Sequence, residues 1–351
     1  MSTPRGSDRP LQNWSISSEV ILRLMASIAI MLLMALLWDE SLPDYASYQG
    51  LFASQVASNA YNRLFGAAVQ AAHFLGVDYG AFRWIVLLAG VLFFTLLART
   101  PKDGGRAARN QVIFYSALFL LLFLFLFEFY EVRLRAGIAC LLFALAFLPE
   151  IASAKRSTNW LFRLAQVLLL AASLWLHSST FAAIFLFCVP PLLFAKYAPG
   201  WAKHLTGPFA LVLAILWFGL FYQVVSVAPT RGETLFSPLN SARFLALFAV
   251  PMALFVVFDL PASRADRQIG QGVSLFPLLL SINYLICAAV LAGFYFTGNL
   301  QIAGEAIVRV MTLSSLPAAL VIMRWGIGYA RVVPMYLLAC NGLFFVNTVY
   351  L

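Results

Sequence analysis

The stretch "EFYEVRLRAGIACLLFALAFL", residues 128–148, sets Glu128, Glu131, Arg133 and Arg135 between two runs that carry no charge. The run before it is "VIFYSALFLLLFLFLF" (residues 112–127), and the run after the charges is "GIACLLFALAFL" (residues 137–148). A helix needs ~20 residues to cross the hydrocarbon of a bilayer. Two crossings therefore use nearly all of residues 112–149, and the four charges mark a short turn at the membrane surface. Charge that interrupts apolar spans is costly and needs a reason. Two readings are open. The charges simply snorkel from a hairpin turn to water, or they serve a ligand at that surface. Gly137, two residues after Arg135, lets a second backbone or a substrate approach closely.

The whole chain supports the membrane setting. Of its 351 residues, 62% are hydrophobic and 11% charged. A soluble fold could not hide that much apolar surface from water, so one polytopic domain in a bilayer is expected instead of two or three soluble ones. Cys140, Cys188, Cys287 and Cys340 lie in separate apolar runs and read as small hydrophobes, with no disulfide or metal spacing. Residues 1–18 are expected to form a flexible cytoplasmic N-terminus, with residues 19–351 as a single transmembrane domain. The first apolar run has no small-residue cleavage site after it and reads as a retained helix.

The expected fold is therefore all-α: a polytopic integral membrane bundle of about eleven transmembrane helices, likened to GT-C enzymes by analogy only. Candidate spans fall at 19–38, 81–98, 112–129, 134–149, 161–177, 180–195, 207–227, 243–258, 273–297, 306–323 and 332–350. Placing the N-terminus inside puts 16 of the 23 Lys and Arg on the inner side, as the positive-inside rule favours. The net charge of +9 is then mainly a topology signal and requires no nucleic-acid partner. All four lysines fall inside, whereas every outer basic residue is arginine. Arginine grips phosphate and carboxylate with a planar two-pronged donor set, whereas lysine acts as a point charge. An outer face armed with arginine points to a phosphate-bearing ligand.

Other chemistry-bearing residues gather on the same face. His177, in "LHSST", stands at a second outward turn among Ser178, Ser179 and Thr180. A neutral imidazole there suits proton acceptance, and a structural histidine is the competing reading. The outer segment 39–80 opens with "DESLPDYASYQGLFASQ", where Asp44 precedes Tyr45 and Tyr48. Carboxylates beside aromatic rings suit a sugar, and an interfacial tyrosine belt is the alternative. Further along, "YNRLFGAAVQAAHFLG" has Leu64, Ala68, Ala71/Ala72 and Leu75 on one side and is expected to lie in the interface. Two later outer loops contribute Arg231, and Glu305 four residues before Arg309. The inner connectors, including "DLPASRADRQIGQG" from Asp259, read as solvated loops. No phosphate-binding glycine loop, zinc-ligand set or dinucleotide fingerprint occurs, and no metal site or cofactor is predicted.

These motifs, in order and spacing, resemble the EpsG family, grouped with Wzy-type polysaccharide polymerases of bacterial membranes. "DYASY" (Asp44–Tyr48) is similar to that family's Asp-x-x-x-Tyr stretch after the first helix. "VRLRAGIACLLFALAFL" resembles its Arg-Gln-Gly helix start, with Arg135 as the arginine and Ala136 where Gln is common. "LHSS" resembles Phe-His-x-Ser, and Arg309 a late helix-opening arginine. The resemblance implies transfer of a growing undecaprenyl-pyrophosphate-linked glycan onto a lipid-linked repeat unit at the periplasmic face of the bacterial inner membrane. Its partners would be that lipid-linked oligosaccharide and membrane lipid, with a chain-length regulator and a flippase alongside. Under it, Arg135 is expected to be catalytic together with Asp44 or His177 as base. Arg133, Arg309, Arg231, Glu131, Glu305, Tyr45 and Tyr48 would bind substrate. A lipid-linked-saccharide transporter and a membrane O-acyltransferase are the alternatives. A transporter would need polar residues at mid-membrane, where Asn283, Asn341 and Asn347 are the candidates.

Overall fold

The computed structural model describes residues 18–37, 45–54, 63–97, 134–152, 160–197, 206–227, 238–262, 276–298, 313–322 and 332–340. Among them the regular elements are all helical. We label them α1 (Ser18–Leu37), α2 (Tyr45–Ser54), α3 (Arg63–Phe74), α4 (Tyr79–Leu97), α5 (Leu134–Ala152), α6 (Trp160–Leu176) and α7 (Ser178–Tyr197). Then follow α8 (Thr206–Val227), α9 (Pro238–Leu254, continued by a π-helical turn Phe255–Asp259), α10 (Phe276–Phe296), α11 (Leu313–Ile322) and α12 (332–340). α1 and α4–α10 overlap eight of the expected spans, while only residues 313–322 and 332–340 of the expected spans at 306–323 and 332–350 are described. The expected span at 112–129 lies outside the described residues. Among the described residues, two helices, Phe244–Ala262 and Phe276–Phe296, are long and apolar enough to cross a membrane, and a third if the bent pair Leu64–Phe74 and Tyr79–Phe93 is one span. Large apolar side chains such as Leu36, Val167 and Ile215 stand on the outer surface, as lipid contact permits.

Polar side chains fasten the helices to each other, and the sequence explains where. Pro190 and Pro191 lie inside α7. Proline has no N–H, so the carbonyls four residues earlier, on Leu186 and Phe187, lose their helical donors. Both carbonyls accept instead from Asn283 Nδ2 of α10, while Trp217 Nε1 of α8 donates to Asn283 Oδ1 at 3.0 Å. One amide thus repairs a double-proline break and ties three helices. All four residues are buried, with Trp217 0% exposed. Asn283 is one of the three polar residues named for a transporter, and its amide is engaged in packing, while Asn341 and Asn347 lie outside the described residues.

α5 and α6 form the most extensive helix pair, and two clips set their register. Ser173 Oγ donates to the Ala139 carbonyl at 2.8 Å, and Gln166 Nε2 to the Ala146 carbonyl at 2.8 Å. The clips are two turns apart on both helices and run in opposite directions, so the pair is antiparallel. Arg163 Nη1 supports the second clip by donating to Gln166 Oε1 at 2.9 Å.

Asp259 corrects one expectation. It stands at the start of the connector read as solvated, yet it is 1% exposed. Its Oδ2 accepts from Ser281 Oγ at 3.0 Å and its Oδ1 from the Val332 backbone N–H at 2.7 Å. A carboxylate at the first N–H of α12 satisfies an orphan donor and meets the positive end of the helix dipole. Tyr336, one turn on, donates its hydroxyl to the Ala246 carbonyl of α9 at 2.7 Å. The ten residues of α11 are all buried, Ser314 and Ser315 included.

Candidate functional site

One end of the bundle carries an aromatic cap built from α2, α3 and the start of α4. Tyr45, Tyr48 and Phe52 repeat at helical spacing along α2 and are buried. They meet Phe65 of α3 and Tyr79 and Phe82 of α4. Ring centroids lie 5.2 Å apart for Tyr45–Tyr79, 5.5 Å for Tyr48–Phe65 and 5.2 Å for Phe52–Phe82. Leu134 and Ala139 of α5 and Leu176 of α6 close the same cluster. The cap therefore sits where α5 begins and α6 ends.

The buried stripe of α3 differs from the expected one. Phe65, Val69 and Ala72 face inward, Leu64 and Ala68 are half-buried, and Ala71 and Leu75 are exposed. The Phe65 ring decides this rotation, because it fits between Tyr48 and Phe82, with the latter edge-on at 6.2 Å.

Local chemistry fixes how the cap turns into α4. Gly76 adopts φ +70, a left-handed conformation in which glycine has no steric penalty. Gly76 N–H donates to His73 O at 3.0 Å and Val77 N–H to Ala72 O at 2.8 Å, the paired bonds of a Schellman helix end. Asp78 then caps α4 by accepting from Ala81 N–H at 2.7 Å. α3 and α4 consequently meet at 115°. His73 Nε2 donates to the Phe52 carbonyl at 2.7 Å and pins α3 to α2. The cap is a fastened unit.

Arg135 stands in the first turn of α5, half-buried against this cap. Its backbone N–H and its Nε–H both donate to the Tyr48 hydroxyl, each at 3.4 Å. Its Cζ lies 5.9 Å from the centre of the Tyr48 ring, a cation–π approach. Tyr48 thus holds main chain and side chain of Arg135 together across 87 residues of sequence.

His177 lies between α6 and α7, half-buried. Its N–H continues the α6 ladder to Ser173 O at 3.1 Å, and its carbonyl accepts from Phe181 N–H at 2.9 Å. Its Nδ1 accepts from the Thr180 backbone N–H at 3.3 Å. The side chain is therefore the N-cap of α7, in a place where Ser, Thr, Asn or Asp is usual. A ring whose Nδ1 accepts carries its neutral-form hydrogen on Nε2.

The hairpin register sets these two residues at one end of the helix pair. Ser173 pairs with Ala139. One helical turn further toward the cap, on the same face of each helix, stand His177 and Arg135. Leu134 and Leu176, their chain neighbours, are buried in the same cluster. The expected site residues Tyr45, Tyr48, Arg135 and His177 thus share one end of the molecule. Asp44, Glu131, Arg133, Arg231, Glu305 and Arg309 lie outside the described residues.

Arg83 is a charged residue of this end that the charge pattern of the sequence does not single out. It is 2% exposed in the second turn of α4, with its Cζ 5.4 Å from the Trp84 ring centre. Its flanking rings in "FRW" were the available sign of burial.

No protein-family model, curated protein or solved structure matches this chain. The chemistry of the capped end is what bears on function.

Proposed function

We propose that the protein is a membrane glycosyltransferase of the polysaccharide-polymerase type, which the EpsG-like motifs suggest. In this reading about eleven helices span the bacterial inner membrane, the N-terminus is cytoplasmic and the capped end faces the periplasm. The substrate is an oligosaccharide repeat unit on undecaprenyl diphosphate. An acceptor hydroxyl attacks the anomeric carbon of the donor glycan, and undecaprenyl diphosphate departs.

The chemistry asks for fixed positive groups where the leaving diphosphate gathers charge, in a setting poor in water. Preorganised donors of that kind are among the largest contributions to catalysis. The observation that supports this reading is the guanidinium of Arg135 held by Tyr48 at the same end as His177. Arg133 and Arg309 are proposed to extend the diphosphate clamp, with Glu131 and Glu305 orienting them. Asp44 is proposed to accept the proton of the attacking hydroxyl. Arg231, Tyr45 and Tyr48 complete the substrate-binding set, and a chain-length regulator and a flippase are the proposed protein partners.

The test is which lipid-linked species accumulates when the protein is removed from its host. The reading expects single repeat units on undecaprenyl diphosphate, exposed on the outer leaflet. Full-length polymer lacking a substituent would replace it with an acyltransferase.

A further inference from the structure

α3 presents three faces, kept apart by helical spacing. Phe65, Val69 and Ala72 pack into the cap. Gln70 and His73 form an exposed polar edge, with His73 Nε2 bonded to the Phe52 carbonyl. On the remaining side Ala67, Ala71 and Phe74, with Leu75 just beyond the helix, are apolar and exposed. Phe74 is 91% exposed and Leu75 72%. We infer that this third face, together with the elbow between α3 and α4, is seated in the lipid leaflet at the capped end of the bundle. Its partner is lipid, at the boundary between headgroups and acyl chains. The inference rests on the membrane setting of the proposed function and not on its reaction.

Water is the costly setting for such a face. Two large apolar side chains follow each other on a turn that is fixed. Gly76 at φ +70, its Schellman bonds and the Asp78 cap set α3 and α4 at 115°, which holds Phe74 and Leu75 outward. Contiguous exposed apolar surface of this kind marks a contact. An apolar face beside a polar edge is the pattern of a helix that lies in a membrane interface.

Helix length sets the depth. α6 has 17 residues, fewer than the ~20 that cross the hydrocarbon. Its last residue, Leu176, is buried in the cap, and α3 packs against α6. The cap therefore begins within the leaflet and not above it. The aromatic residues agree. Trp175, beside Leu176, is 71% exposed, and Trp160 at the opposite end of α6 is 68% exposed. Ring contacts Phe194–Phe209 at 5.0 Å and Phe187–Trp217 at 4.6 Å set α7 and α8 antiparallel, which brings the exposed Tyr222 of α8 to the capped end. Exposed Trp and Tyr at helix ends favour the membrane–water boundary. Between the two tryptophans α6 exposes Val167 and Leu168, and α3 extends that apolar surface to the cap. Seated so, the cap holds Arg135 near the level of the headgroups, where a lipid carrier presents its diphosphate.

The test is spin labelling of the full-length protein in liposomes of phosphatidylethanolamine and phosphatidylglycerol. A nitroxide is attached singly in Phe74→Cys, Ala71→Cys, Val167→Cys and Gln49→Cys, each checked for wild-type unfolding. Protein without an added cysteine gives the background of the four native thiols. Collisions are read with oxygen, which partitions into lipid, and with a water-soluble nickel chelate. Position 167 reports on the membrane setting, and position 49, on the exposed polar side of α2, serves as the water reference. The labels at 74 and 71 are expected to meet more oxygen and less nickel than the label at 49, at a depth between 49 and 167. Nickel collisions at 74 and 71 equal to those at 49 would put the elbow in water and overturn the inference. Few collisions with either reagent would mean that protein covers this face, a second copy of the chain for instance, and overturn it equally. If the label at 167 meets nickel freely, the membrane setting falls and the inference with it. A lipid-facing 167 with a water-facing 74 and 71 removes the inference alone.

Discussion

Two polar groups in this bundle look alike in sequence and differ in structure. At mid-bundle, Asn283 interrupts "LLLSINYLICAA", and at the capped end Arg135 interrupts "VRLRAGIACLL". Each is a costly residue in an apolar setting. Asn283 is fully accounted for by the protein: two carbonyls that Pro190 and Pro191 strand, and one indole N–H. Arg135 meets the Tyr48 hydroxyl through its backbone N–H and its Nε, which fixes a guanidinium at the end of a helix hairpin. The lesson is that a polar residue in an apolar span is read by tracing its hydrogen bonds. Where they close on the fold's own broken backbone, the residue holds structure. On that ground Asn283, one of the three polar residues named for a transport route, holds packing.

The comparison breaks first at Arg135. Arg135→Ala should reduce chain growth by roughly 100- to 1,000-fold with little change in thermal unfolding. A variant that instead unfolds and retains specific activity would make Arg135 a structural group like Asn283. The mirror experiment is Asn283→Ala, which strands two buried carbonyls and the Trp217 N–H. Its expected cost is about 2–3 kcal/mol of stability, with activity per folded molecule retained. Repeating it in a Pro190→Ala, Pro191→Ala background sharpens the point. The restored N–H groups should take back the carbonyls and shrink that cost by half or more, as read by denaturant titration in detergent.

Smaller effects test the cap. Tyr48→Phe keeps the ring and its packing and removes the hydroxyl that holds Arg135. It should lower the rate by roughly fivefold to tenfold, about 1 kcal/mol, while melting near wild type. Gly76→Ala forces a side chain into the left-handed turn that starts the 115° bend, at about 1–2 kcal/mol. Thermal unfolding should register that loss, and a neutral result would show that the cap does not depend on this turn.

Much of the fold was legible because apolar runs of spanning length leave few choices in a bilayer. "GIACLLFALAFL" and "LICAAVLAGFYF" could only be helical there. Arg135, His177, Tyr45 and Tyr48 stood out because polar groups bordering such runs are costly. What the sequence did not disclose depends on partners far along the chain. Tyr48 and Arg135 are separated by 87 residues, and Asn283 and Leu186 by 97. Neither pairing has a local signature. The α3 stripe divides for a related reason: Leu64 and Ala68 share a periodicity with Phe65 and Val69, and of the expected stripe only Ala72 is buried. The neighbouring rings of Tyr48 and Phe82 broke the tie. Asp259 opens a charged connector and so reads as solvated, and only the fold reveals the Val332 N–H and Ser281 hydroxyl that engage it.

The most direct test of the proposed reaction is product release. Purified protein in liposomes, given lipid-linked repeat units alone, should release one undecaprenyl diphosphate for each new glycosidic linkage. Linkages formed without that release, or no linkage formed by well-folded protein, would contradict a site built to hold a departing diphosphate.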